Sequence, residues 1–537
     1  MGGRWQRYDC PVIKPDSALV FPQDLGKVHF VGIGGSGMSG IAHMFMDRGI
    51  TVSGSNKEEV PYLAKLRERG AKIFVGHDAS HVGDADTLVV STAIPEDNVE
   101  RRWALDNGIR VLHRSEALAL LTDGRRVVAI AGAHGKTTST GMVVTGLRGL
   151  GQDPSFVSGG VLKELGASSG PGEGDLFVIE ADESDGSFQR YDVAVALITS
   201  VDPTHLENYT PKQYVDAFIT FAQKVSDLVV ASSDDEPTQL VLAQLADKRV
   251  ITFGKADHAD VRIHDIQAGR TVDFALTFGG TEYRATLTVP GEHNAINAAG
   301  AFATLVGLGF DPADSLKQIS TFAGTKRRFE RKGIARGVEV YDDYAHEPAE
   351  VVAAVTGARS VVGGGRVIAV HQPHLYSRTK LRSAEFAKHY EDLADYTIVL
   401  QVDGSREAYV EGVTGELVWD GFRDKSRVAY KPDWDDAVAE VGLAVEGVVD
   451  GFILRHVDGV DGEVAAVGVG FPVRNKVHGW VAGACHVGVG TQRGDFVLLA
   501  VDVGGDGAPA LAGVGRGNAC VVEGFFNFVR VGGGGEV

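Results

Sequence analysis

From Lys27 onward the chain alternates short apolar runs with amphipathic stretches, and this rhythm constrains its fold more than any other feature. VHFVGI (28–33) reads as a buried strand and Ser36 to Arg48 as a helix, while TVSGS, AKIFVG and TLVVSTA are further strands separated by helical stretches. Successive strands joined through helices pair in parallel, so a doubly wound α/β sheet is expected. The rhythm restarts at RVVAIAG (126–132), with a helix from Lys136 to about Leu150, and continues through LFVIEAD, VALITSV and DLVVASS. Between 257 and 290 VDFALTF and YRATLTV alternate residue by residue, which predicts an antiparallel patch beside that second domain. A third unit begins near Gly337, with VEVYDDYAH, RVIAVHQPH and YTIVLQV as strands. At roughly 150 residues per domain, 537 residues suit three domains. The expected divisions are an extension at 1–26, domains at 27–125, 126–330 and 331–441, and a tail at 442–537.

The tail breaks the pattern. Of its 96 residues 23 are Gly and 22 are Val, with Lys476 as the sole lysine. Glycine at this density costs backbone entropy that no evident core offsets. Gly, Val, Ala, Asp and Glu share codons beginning with G, which suggests the hypothesis of a reading-frame change near residue 441. An uninterrupted frame in independent DNA reads removes that idea. The third domain is then expected to be incomplete.

Composition narrows the function classes. A formal charge of −19 repels phosphate backbones at long range, so nucleic acid is not expected as a partner. Any phosphate must be held by local groups. No run reaches the ~18 apolar residues of a membrane span, and three cysteines make no disulfide framework. A cytoplasmic protein without membrane insertion is expected.

The strongest chemical signal is AGAHGKTTST (131–140), between a strand and a helix. Gly132 and Gly135 allow a tight turn that presents N–H groups to phosphate oxygens. Lys136 adds a point charge, and Thr137 offers a hydroxyl to Mg²⁺. IEADESDGSF (179–188) crowds Glu180, Asp182, Glu183 and Asp185 at a strand end, where a cation would relieve their repulsion. SVDPTHLENY (200–209) ends another strand with His205. PGEHNAINAAGAF (290–302) opens a helix with His293, Asn294 and Asn297, side chains able to meet an adenine edge. VGIGGSGMSGIA (31–42) fits G-x-G-x-x-G, but Asn56 stands where a dinucleotide site wants an acid, so an NAD oxidoreductase is the weaker reading.

In this order the segments resemble the Mur ligase family of ATP-dependent amide-forming enzymes over residues 27–441. The short loop G-x-x-G-K-T-T is similar to that family's ATP loop, and VYDDYAHEP (340–348) to its D-D-Y-A-H-H-P, with Glu347 for the second His. HQPHLYSRT (371–379) resembles F-Q-P-H-x-Y-[ST]-R, with His371 for Phe. The resemblance implies a Rossmann-like UDP-binding domain, a P-loop ATPase-like central domain and a Rossmann-like third domain. It implies ATP and Mg²⁺ as cofactors, and Lys136, His346 and Arg378 as catalytic groups. Around ATP it places Gly132, Ala133, His134, Gly135, Lys136, Thr137, Thr138, His293, Asn294, Asn297 and Arg327. Thr137, Glu180 and His205 would hold the metal. Asp403 and the pair Arg406-Glu407 fall near the family's amino-acid pocket. The first glycine loop resembles the branch that acts on UDP-N-acetylmuramate with L-alanine. It would contact the sugar nucleotide through Gly34, Gly35, Ser36, Gly37, Met38, Ser55 and His113. A branch that attaches a murein tripeptide to the same nucleotide is the alternative, as is an inactive frameshifted product that still binds both nucleotides. A monomer or weak homodimer is expected.

Overall fold

The computed structural model describes residues 24–184, 186–202, 209–335, 338–405 and 407–445, together with the strands Ile453–His456, Val467–Arg474, Trp480–Gly483 and Phe496–Val501. The first domain is a five-stranded sheet in the order Lys72–Val75, Val52–Asn56, Val28–Val31, Thr87–Val90, Arg110–His113, parallel throughout. Helices Ser36–Asp47 and Val99–Asp106 cover it, much as the periodicity predicts.

The second domain is built on ten strands. Its centre runs Leu228–Ser232, Val193–Ile198, Arg126–Ala131, Leu176–Glu180, Ser155–Leu162, with parallel pairing between neighbours. Strand Arg126–Ala131 shows why these segments read as unbroken apolar runs. Val127, Ala129 and Ala131 enter one core and Val128 and Ile130 the other, so both faces are buried. The 257–290 patch forms strands Val261–Ala268, Val272–Phe278 and Thr281–Leu287, joined antiparallel at the sheet edge as expected.

The third sheet follows the order Glu330–Ala335, Val338–Asp343, Phe496–Val501, Arg366–His371, Tyr396–Val399, Val428–Tyr430. Here the expectation of a third domain confined to 331–441 needs correction. Phe496–Val501 lies between Val338–Asp343 and Arg366–His371, antiparallel to both. Its sequence, FVLLAV, is the kind of apolar run that suits a central strand. Glycine-rich sequence on both sides masks that signal. Ile453–His456, Val467–Arg474 and Trp480–Gly483 pair antiparallel in a separate small sheet. No helix among the described residues is long and apolar enough to cross a membrane.

Candidate active site

Three neighbouring parallel strands of the second domain, Arg126–Ala131, Leu176–Glu180 and Val193–Ile198, release their loops at one sheet edge. Ligands of open α/β sheets bind at such carboxyl ends. The 132–135 turn is tight enough to demand glycine. Gly132 has φ 137°, and a Cβ there would stand 2.1 Å from Thr199 Oγ1. Gly135 has φ 80°, and its Cβ would stand 2.4 Å from Asn297 Oδ1. The adjoining strand pins the turn. Ala133 N–H donates to the Ser200 carbonyl (3.0 Å), and Thr199 Oγ1 donates to the His134 carbonyl (2.5 Å). Helix Lys136–Gly149 begins at once, so its first amides point out of the turn, an arrangement suited to anions.

Lys136 Nζ donates to the Gly132 carbonyl at 2.6 Å and to Glu183 at 2.9 Å. Burial works against its charge, but Glu183, Asp182 and Glu180 outweigh it and hold the ammonium pKa above its usual value. Asp182 is likewise raised by burial, yet Arg114 and Lys136 keep it well below the usual carboxylate range. Arg114, which sequence reasoning passed over, reaches Asp182 at 3.3 Å and lies beside Gly37 of the first glycine loop. It thus links the first glycine loop to the acidic loop that follows Leu176–Glu180.

Thr137 Oγ1 donates to Glu180 Oε1 at 3.1 Å, while the other carboxylate oxygen accepts from Gly159 N–H at 2.7 Å. The O···O separation matches adjacent ligands on a Mg²⁺ octahedron, about 3 Å for bonds of 2.0–2.1 Å. A hard oxygen pair of this kind fits Mg²⁺. Among the described residues no cluster of three His, Cys, Asp or Glu side chains is arranged to hold a metal, and His205 lies outside the described residues.

The third domain brings its own groups to the same cleft. Glu350, at the start of helix Pro348–Val362, accepts from the backbone N–H of His346 (3.0 Å) and Glu347 (3.1 Å). Its carboxylate also stands 3.9 Å from His134 Nδ1 of the 132–135 turn and 3.8 Å from Arg328. Burial would raise the Glu350 pKa, but His346, His134 and Arg328 keep it well below the carboxylate range. His346 is pushed down to about 3, chiefly by burial, and is therefore a neutral imidazole at pH 7. Tyr344 lies under the Arg327 guanidinium at 4.4 Å. Arg327 itself holds φ 60°, a conformation costly for a side-chain-bearing residue and often retained where function needs it.

One cleft of about 3060 Å³ gathers Gly34, Gly35, residues 133–138, Glu180, His293, Asn294, Asn297, Arg327, His346 and Arg378. Asn294 spends its amide on the Pro290 carbonyl at 2.6 Å, which shapes the helix start. Asp403 shapes the neighbouring loop, accepting from Leu375 N–H through its carbonyl and from Ser405 N–H through its carboxylate, both at 2.8 Å. Other expected contacts turn inward. Ser55 is buried and bonds Glu100 at 2.5 Å, in a cluster with His77 and His81, and so does not face the cleft. His113 caps helix Arg114–Thr122, accepting from Ser115 N–H while Glu116 receives its own N–H. Burial lowers it to about 4. Met38 packs into the first domain's core. Gly132 shapes its turn and Ser36 and Gly37 begin the first helix, neither glycine lining the cleft, and Arg406 lies outside the described residues. Asn56, noted only as a missing acid, accepts from Gly34 N–H at 3.1 Å and so braces the glycine loop. The His371 ring lies 5.1 Å from those of both Phe386 and Tyr390, tilted to each, filling the aromatic space of the motif's Phe.

Residues 27–126 match the catalytic domain of the Mur ligase family, 130–305 the Mur ligase middle domain, and 327–451 the domain described as Mur ligase, glutamate ligase domain. The UDP-N-acetylmuramate–L-alanine ligase of Clavibacter sepedonicus is 57% identical over 427 residues, covering 79% of this chain and 90% of that protein. The enzyme of the same name from Paenarthrobacter aurescens is 45% identical over 433 residues, 80% of this chain and 93% of that one. Among solved structures, UDP-N-acetylmuramate–alanine ligase from Thermotoga maritima aligns with a TM-score of 0.67 at 30% identity, over 77% of this chain and 92% of that one. A murein peptide ligase from Psychrobacter arcticus, 23% identical with a TM-score of 0.62, shares the fold.

Proposed function

This chain belongs to the Mur ligase family, and on that premise we propose that it joins L-alanine to UDP-N-acetylmuramate at the expense of ATP, a step of peptidoglycan precursor synthesis. The observation that carries the reading is the meeting of Lys136, Thr137 and Glu180 at the strand ends, inside a cleft shared with His346 and Arg378.

A carboxylate oxygen of the lactyl group attacks the γ-phosphorus of ATP. The bond to the β–γ bridging oxygen breaks, ADP leaves, and an acyl-phosphate forms. The amine nitrogen of L-alanine then attacks the acyl carbon, phosphate departs, and the nitrogen loses a proton. Catalysis of this kind is positioning and charge neutralisation. The 132–135 turn and the amides opening helix Lys136–Gly149 cradle the phosphates, and Lys136 exchanges Glu183 for a phosphate oxygen. Thr137 and Glu180 would hold Mg²⁺, which when bound offsets phosphate charge. His293, Asn294 and Asn297 border the adenine end. Gly34 and Gly35 receive the diphosphate of the sugar nucleotide. Arg378 supplies the third domain's cation to the transferring phosphoryl group, and His346, neutral at pH 7, orients the acceptor. All these groups come from one chain, so the reading needs no second copy.

ADP release measured with UDP-N-acetylmuramate, ATP and L-alanine tests the proposal. Release should require all three. Equal or faster turnover with a murein tripeptide in place of L-alanine would transfer the chain to the recycling branch, and no turnover with either amine would refute ligase activity.

A further inference from the structure

Where the family motif carries a second His, this chain carries Glu347, and the substitution falls on a residue with consequences. Glu347 precedes helix Pro348–Val362 and is itself nearly buried. Its Oε1 lies 2.6 Å from Arg378 Nε, and its Oε2 lies 3.3 Å from Arg382 Nη1. Arg382 is held in turn by Glu385 at 2.7 Å. Arg378, Arg382 and Glu385 occupy one stripe of helix Tyr376–Leu393, at spacings of four and three residues. The residue before this helix is Leu375, whose φ of 70° is held by a hydrogen bond from its N–H to the Asp403 carbonyl at 2.8 Å. Glu347 therefore ties the His346–Glu350 turn to the arginine helix through an ion pair largely closed to solvent. An arginine side chain has four free torsions. A carboxylate fixed on Nε removes much of that freedom; Nη1 donates to the His374 carbonyl at 3.4 Å, which leaves Nη2 able to donate to phosphate oxygens.

We propose that Glu347 is a positioning residue of the ligation: it clamps Arg378 so that the guanidinium projects into the phosphate cleft, and its charge opposes the triphosphate enough to set ATP affinity. The proposal rests on reading Arg378 as the third domain's phosphate-facing cation.

The test is a double-mutant cycle on the full chain, with kcat and KM for ATP as readouts. Glu347→Ala releases the arginine and should lower kcat roughly 10- to 100-fold, the scale of a misplaced catalytic group. Glu347→Gln keeps an acceptor oxygen without the charge, so it should retain most of kcat and lower KM for ATP. In an Arg378→Ala background Glu347→Ala should have no further effect. Urea unfolding of each variant identifies any loss that is merely structural. The proposal is overturned if Glu347→Ala is silent, or if its effect is undiminished without Arg378. Normal turnover in Arg378→Ala alone would overturn the reading of Arg378 and the clamp with it.

Discussion

Lys136 pairs with Glu183 and is proposed to serve the phosphates, two roles that one pair of substitutions can separate. Its ammonium sits 2.9 Å from Glu183, whose side chain is 1% exposed against 16% for the lysine. Lys136→Ala leaves that carboxylate buried without its cation, which costs about 3–5 kcal/mol of stability for a broken buried pair. It also removes a fixed donor from the transferring phosphoryl group. Loss of one such preorganised group lowers kcat by roughly 10²–10³, or about 2.7–4 kcal/mol. The upper end is expected here because Glu180, Asp182 and Glu183 would then face the phosphates with no lysine among them. Glu183→Gln added to Lys136→Ala removes the stranded charge. Stability, read by urea unfolding, should then recover by most of the amount lost, whereas ADP release at saturating substrates should stay depressed by about 100-fold or more. If the double variant returns to within tenfold of normal turnover, Lys136 serves the fold alone and the phosphate assignment fails.

Glu180→Gln removes the charge from the proposed Mg²⁺-holding pair, in which Glu180 Oε1 stands 3.1 Å from Thr137 Oγ1, so the Mg²⁺ concentration for half-maximal turnover should rise about tenfold or more. An unchanged magnesium curve would remove Glu180 from the metal. Gly135→Ala asks a side chain to adopt φ 80° and to stand 2.4 Å from Asn297 Oδ1, so ATP binding measured by calorimetry should be lost while UDP-N-acetylmuramate binding persists. Loss of both would mean a general folding defect. Buried Glu100 is raised by burial but brought down overall to about 2 from an ordinary 4.5, through His29, Ser55 and His77. A depressed carboxylate stabilises the folded state above pH 4.5 and loses that contribution as pH falls towards 2, in all about 3 kcal/mol. The stability gap between the parent and Glu100→Gln, from urea midpoints, should therefore narrow over that window, and a constant gap would contradict the linkage.

The parts legible in the sequence were those whose cause is local. Apolar runs alternating with helices imply parallel sheets because no other pairing returns the chain in register. G-x-x-G-K-T-T implies its turn because glycine adopts without strain the φ of 137° and 80° held by Gly132 and Gly135. Thr137 lies two residues past that turn, so its place beside it follows from the same local cause. Ser55 and His113 show the limit. Each is a polar residue at the end of a first-domain strand, where a ligand contact is a fair inference. Whether it meets ligand or protein depends on residues far away or on an end cap. Glu100, 45 positions on, claims Ser55, and the Glu116 capping box turns His113 inward. The box had a sequence signal, a glutamate three residues after His113, that could have been read.

The sequence by itself determined which strands and turns form and which residues carry charge, because those depend on neighbours a few positions apart. Only the tertiary structure decided which charges face one another. Glu350 meets His134 across more than two hundred residues, Glu347 meets Arg378, Arg114 meets Asp182, and Phe496–Val501 enters the third sheet. These are pairings at long range. They arise because burying a charge or an open strand edge is costly until a partner covers it, and that partner is set by the packing of whole domains, which no local window of residues contains.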